Sequence, residues 1–342
     1  MAEPQPTLDE WHRLYQAAIR IKEIAPWEWM TETDVFGVRN PEADEIGFVS
    51  VMGELGEHFS IAVYLGPKGL HRFWGFQRLG PSASVDNLLE IPHLQASFED
   101  RKELSQQDRA VIKELGLKFR GQHAWPMFRS YRPGFLPWRL EAWEARFLTQ
   151  ALGQATEVAL RFQENPALLA PAAEDSYLVR VPYPEASALV WKDQQVSVPP
   201  PDPESILLPM DLDVLEHVTR LPRGPYTLEM DLFMLQTPIY EKGARPYLPY
   251  NLLVVDADSG MILGSELLQP QATLEATWGL VPVTVVHQLA RIGSVPRQIR
   301  VRSALLAQLL QTLVEELGFQ IKQTHTLPML DEAKQFLLQR FI

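Results

Sequence analysis

No cysteine occurs in the 342 residues. That absence excludes disulfides, thiolate metal sites and a cysteine nucleophile. It suits a reducing cytoplasm, where the protein is expected to reside. Positive charge is scarce: 31 Lys and Arg stand against 43 Asp and Glu, a formal net charge of −12. A phosphate-tracking surface needs clustered Lys and Arg, so nucleic acid and anionic membrane are not expected as general partners. Long apolar runs are missing as well. None approaches the roughly 18 residues that a membrane span requires. The opening Met1-Ala-Glu-Pro-Gln-Pro-Thr7 has no basic region and no apolar core, so no signal peptide is expected.

What is present is ordinary for a globular chain, with 46% hydrophobic and 22% charged residues. The length allows a sizeable core and at least two domains. Leu8 to Ile24 repeats apolar residues at helical spacing, with Thr7 and Glu10 as a capping box and Pro26 as the stop. Val35 to Phe76 reads as strand-rich, with Gly53-Glu-Leu-Gly-Glu57 as punctuation between two β-favouring runs. Leu94 to Phe98 continues that sheet, and Ser105 caps a helix over Gln106 to Leu115. An aromatic, proline-broken stretch, Trp125 to Trp138, leads into a helix from Arg139 to about Glu164. Trp143 and Phe147 belong to its apolar face and are expected to be buried.

Asn165 to Asp175 is rich in Ala and Pro and reads as a linker. Strand-like runs then alternate with the proline cluster Pro199 to Pro203. In one of them, Leu228, Met230, Leu232 and Met234 alternate with Glu229, Asp231 and Phe233, which predicts one buried and one largely wet face. From Asn251 an apolar run, an Asp/Ser/Gly turn and a second apolar run give a hairpin. A helix over Pro282 to Ile292, a strand over Gln298 to Arg302, a helix over Ala304 to Leu317, a strand from Phe319 and a helix from Pro328 follow. This alternation implies parallel strands joined by right-handed crossovers. The expected organisation is an α+β domain over 1–165, a linker and strand-rich segment over 166–245, and an α/β domain over 246–342.

Two segments carry a resemblance. Phe48-Val-Ser-Val-Met-Gly-Glu-Leu-Gly-Glu57, followed by Ala62-Val-Tyr-Leu-Gly-Pro-Lys-Gly-Leu70, resembles an uncharacterised bacterial domain. Pro296-Arg-Gln-Ile-Arg-Val-Arg-Ser303, with Leu317 to Ile321 and Leu327 to Ala333, resembles a second domain often found behind the first. That resemblance implies boundaries and no chemistry. Separately, the C-terminal element order is similar to the ribonuclease H-like fold, a likeness of topology that does not carry function by itself.

The chemistry of that fold uses two metal ions held by three or four carboxylates. On the likeness, Asp256, Asp258, Glu275 and Asp331 are the candidate catalytic residues, with Glu332 beside Asp331. Ser303 stands where the family pattern places another aspartate. The competing reading of Asp256-Ala-Asp-Ser-Gly260 is a hairpin turn, in which Asp and Gly are favoured by backbone geometry. Gly53, Glu54, Gly56 and Glu57 read either as a ligand-binding loop or as a turn that needs positive φ. Arg129, Tyr131, Arg132 and Trp138 interleave cations with aromatics and form the candidate partner surface, unless the rings pack the core and the arginines pair with acids. The eight histidines show no metal-ligand spacing, and no cofactor fingerprint or Gly-x-Ser-x-Gly elbow occurs. No metal or cofactor is therefore expected. The leading expectation is a non-enzymatic module that binds another protein or a small ligand. The alternative is a metal-dependent or degenerate nuclease in the C-terminal domain.

Overall fold

Thr7 and Glu10 exchange the two hydrogen bonds of a capping box and so start α1 (Leu8–Ile24) at the expected residue. The structure is a computed structural model that describes residues 4–82, 84–185, 188–202 and 205–340. The chain divides into two compact units. The first comprises Met1–Arg132 and Pro137–Asp202, and the second Pro133–Leu136 and Pro203–Ile342. Both mix helix and strand, with one sheet in each.

The strands of the first unit are β1 (Phe36–Arg39), β2 (Ile46–Met52), β3 (Phe59–Leu65), β4 (His93–Glu99), β5 (Trp125–Tyr131), β6 (Ser176–Glu185) and β7 (Ala188–Ser197). They form one sheet in the order β5-β4-β3-β2-β1-β6-β7. Every neighbouring pair is antiparallel except β1 and β6. Its helices after α1 are α2 (Gly66–Leu79), α3 (Val85–Leu89), α4 (Gln106–Glu114) and α5 (Ala142–Glu164). Side-chain alternation sends Val49, Val51, Ile61 and Val63 into a core shared with α1 and α5, where Leu14, Phe147 and Leu148 are buried. Phe48, Ala62 and Tyr64 point the other way, against Leu70 and Phe73 of α2.

The strand-rich expectation for Val35 to Phe76 fails at Gly66. That residue turns the chain at φ +64, and Pro67 supplies the preset φ of a first helical turn, so α2 begins directly after β3. On α5, Phe147 is buried as expected but Trp143 is only half-buried. Its indole N–H donates to Glu141 at the helix start, which holds the ring toward the rim. The segment Asn165 to Asp175 contains a short 3-10 turn, Pro166–Leu169, and lies within the first unit.

The second unit contains α6 (Leu212–Thr219), β8 (Thr227–Met234), β9 (Tyr250–Asp256), β10 (Ile262–Leu268), α7 (Leu274–Ile292), β11 (Gln298–Val301), α8 (Ala304–Leu309), α9 (Gln311–Leu317), β12 (Gln320–Gln323) and α10 (Pro328–Arg340). The sheet order is β10-β9-β8-β11-β12. β8, β9 and β10 pair antiparallel, whereas β11 runs parallel to both β8 and β12. The expected hairpin is therefore present as β9 and β10. α7 begins eight residues earlier than Pro282, because the Thr273 side chain accepts from the Ala276 amide and caps it there. Four residues of this unit come from further back in the chain. Leu248 donates its amide to Gly134, Leu136 donates to Pro246, and Phe135 bridges to Tyr247.

Strand β8 departs from the half-wet expectation. Glu229 is fully buried, and Asp231 and Phe233 are 7% and 8% exposed. Helix α10 lies over that face, packing Leu330 and Ala333 against Phe233, Leu253 and Val255. A strand in the middle of a sheet with a helix on its polar side has no face left for water. No helix among the described residues is long and apolar enough to cross a membrane.

Candidate functional site

A cluster of charged side chains in the second unit is built by three elements. Glu229 and Asp231 are two apart on β8, so their side chains share one face. The parallel register sets Arg300 of β11 beside Glu229, and Arg302 follows two residues on, level with Asp231. α10 brings its first turn, with Leu330 and Asp331, to the same place.

The contacts are close. Arg302 donates to Asp331 Oδ1 at 2.5 Å and lies 3.5 Å from Asp231 Oδ2. Arg300 lies 3.9 Å from Glu229 Oε1. The other Glu229 oxygen accepts the Leu330 amide at 2.9 Å, one of the amides that a helix start leaves without an internal partner. Oε1 of Glu229 is buried without a hydrogen bond. Burial holds the Asp231 carboxyl above its usual range, and Arg302 and Lys334 pull in the opposite direction. The hydrogen bond to Asp331 raises Arg302 further, so its charge is permanent.

Metal-assisted phosphodiester cleavage needs converging carboxylates that hold cations about 4 Å apart. Here a guanidinium joins the carboxylates of β8 and α10. A cation at 4 Å from it would meet repulsion of about 4 kcal/mol per unit charge at a surface-like dielectric. Among the described residues, no group of three or more His, Asp or Glu has metal-holding geometry.

The carboxylates named from sequence lie apart from this cluster, except Asp331. Asp256 ends β9 and accepts from the Ser259 amide and hydroxyl, each at 2.7 Å, and from the Asp258 amide at 3.3 Å. Those bonds draw its carboxyl below the usual range. They are the geometry of the hairpin turn, and Asp258 is exposed beside them. No hydrogen bond or ion pair among the described residues links Asp256 or Asp258 to Asp331. Glu275 sits in the first turn of α7, where a carboxylate favours the helix dipole. Sequence reading puts Glu229 and Asp231 on a largely wet strand face and does not join them to Arg300 and Arg302. Their one local signal is a pair of carboxylates inside an otherwise apolar strand.

In the first unit, Gly53, Glu54, Gly56 and Glu57 form the turn between β2 and β3, closed by the Gly56 amide on the Gly53 carbonyl at 2.9 Å. Gly53 has φ +141, and a Cβ there would come within 2.9 Å of both Phe59 and Trp27. Those two rings and Phe98 surround the Lys22 ammonium at 4.7–5.2 Å, so the glycine makes room for a cation–π cluster. Glu54 and Glu57 point into solvent.

The candidate partner surface is divided among three roles. Arg129 forms a bidentate pair with Asp108 at 2.6 and 2.9 Å. Arg132 pairs with Glu141 and, at 3.0 Å, with the buried Glu144. Tyr131 stacks on His93 with ring centres 4.0 Å apart. Trp138 pairs its backbone with Ser130 on the edge of β5 and remains half-buried. The acids therefore take up Arg129 and Arg132.

Residues 11–180 match a domain of unknown function, DUF7309, and residues 214–338 match a second domain of unknown function, DUF6930. No curated protein matches the chain. It is a two-domain protein of mixed helix and strand, with both domains of unknown function.

Proposed function

We propose that this protein is a non-catalytic binding protein and that its second unit is a ribonuclease H-like scaffold. In that scaffold, arginine takes the place that metal would occupy. The observation that carries the reading is Arg302, placed between Asp231 and Asp331. The central β8, the antiparallel β9 and β10 and the parallel β11 and β12 support the scaffold assignment, as do helices after β10, β11 and β12. A permanent guanidinium neutralises the carboxylates and repels a divalent ion. The partner on this reading is another protein or a small ligand. Nucleic acid is disfavoured by the net charge of −12, and the lack of cysteine suits a cytoplasmic compartment.

The test is to incubate the purified protein with single-stranded, double-stranded and hybrid nucleic acids plus magnesium or manganese. The expected result is no cleavage. Cleavage that disappears in Asp231→Asn or Asp331→Asn would overturn the reading and make the second unit a nuclease.

A further inference from the structure

A cavity of about 410 Å³ opens in the first unit beside α1, α4 and the edge of β5. The volume lies within the range of small-molecule sites. Its walls are aromatic. Trp11 lies 6.1 Å from Phe128, and Tyr15 lies edge-on to Phe128 at 5.0 Å. Trp138 closes another side.

Two polar groups in this cavity lack the partners that their neighbours have. The Tyr15 ring is buried, and its hydroxyl, which bonds to no described residue, stays open to solvent in this cavity. A ligand that enters the cavity can therefore take the bond that water otherwise makes to this hydroxyl. Burial raises its pKa, so it remains a donor at neutral pH. Arg139 lies over the Trp138 ring at 5.9 Å and donates one bond to Gln107 at 3.0 Å. It forms no ion pair among the described residues, in a chain that carries twelve more acids than bases. Asp108 and Arg129 also line the cavity but neutralise each other. The cavity thus offers aromatic walls, one hydroxyl donor free of protein partners and one positive charge without an acidic partner.

We infer that this cavity binds a small aromatic carboxylic acid: the ring lies among Trp11, Phe128 and Trp138, Arg139 balances the carboxylate, and Tyr15 donates a hydrogen bond to the ligand. Stacking on aromatic walls rewards a planar ring, and a charge-assisted bond from a guanidinium rewards the carboxylate. The inference deepens the binding reading by assigning a ligand class to the first unit. The nuclease assay above and the titration below fail independently.

The experiment is isothermal titration of the full chain with 2-naphthoate as the probe. Neutral 2-naphthalenemethanol and aliphatic cyclohexanecarboxylate serve as controls. 2-Naphthoate should bind and both controls should bind at least about tenfold more weakly, the alcohol for want of the charge-assisted hydrogen bond and the aliphatic acid for want of a ring to stack. Tyr15→Phe and Arg139→Gln should each weaken 2-naphthoate by about tenfold. Neither variant removes a hydrogen bond that the core depends on, so their unfolding midpoints should match the parent. Failure of 2-naphthoate to bind at millimolar concentration overturns the inference. So does equal affinity in both variants, or equal affinity for the aliphatic acid.

Discussion

Glu229 caps the start of a helix from far along the chain: its Oε2 accepts the amide of Leu330, 101 positions later, at 2.9 Å. The side chain comes from the middle of β8 and is fully buried, so a strand residue supplies what an N-cap residue ordinarily supplies locally. Glu229→Ala would leave that amide unpaired in a dry place. The expected cost is about 2–3 kcal/mol by denaturant titration. Glu229→Gln keeps an acceptor for Leu330 and should cost less. A Gln variant as unstable as the Ala variant would show that the charge, not the cap, matters there.

Asp231 gives a pH dependence of definite sign. Desolvation raises its folded pKa above the unfolded value of about 3.9. Its protonated form therefore favours folding. That contribution is present below the unfolded pKa and is lost as pH rises through the folded pKa. Asp231→Asn should remove this part of the slope, and stability at pH 7 should be unchanged or higher. A variant that is markedly less stable at pH 7 would mean that the Arg302 pair outweighs desolvation.

His93 acts in the opposite direction. It is 2% exposed, and burial pushes its pKa down to about 4. Folding therefore favours the neutral ring. This contribution is intact above the unfolded value of about 6.5 and declines as pH falls toward about 4. A lowering from 6.5 to about 4 is worth about 3 kcal/mol. Between pH 6.5 and 4, His93→Gln should lose about that much less stability than the parent. Parallel stability curves for the two proteins would count against a buried neutral imidazole.

Phe147 sits at 1% exposure within the core between α5 and the sheet. Its ring also packs where Gly47 lacks a Cβ: an added methyl there would fall 2.7 Å from Cζ. Phe147→Ala should cost about 3–5 kcal/mol. A loss under about 1 kcal/mol would mean that the ring is not enclosed.

The parts legible in the sequence are those decided within a few residues. The capping box at Thr7 and Glu10, the turn at Gly53 and the Asp256-to-Gly260 hairpin each rest on local backbone chemistry. α2 is hidden because its Phe73, Trp74 and Phe76 also favour strands, and only Gly66-Pro67 marks the helix start. The burial of Glu229 and Asp231 is not local at all. It depends on α10 crossing a strand about a hundred residues away. The cluster likewise depends on which strand lies beside β8, and the pairing of Glu229 with Arg300 exists only once β11 is in register. Alternation reports which residues share a face, but not what covers that face.

Four residues decide how this chain can be divided. Pro133–Leu136 stand between β5 and α5 in the sequence yet belong to the second unit, where Gly134 and Leu136 bond to Leu248 and Pro246. A gene fragment that starts at position 203 encodes that unit without Gly134, Phe135 and Leu136. The complementary fragment carries them away from their partners. No single cut yields two whole bodies, so recombination that joins either half to a foreign neighbour breaks hydrogen bonds in the C-terminal one. The cost of separating the two halves therefore falls on the C-terminal one.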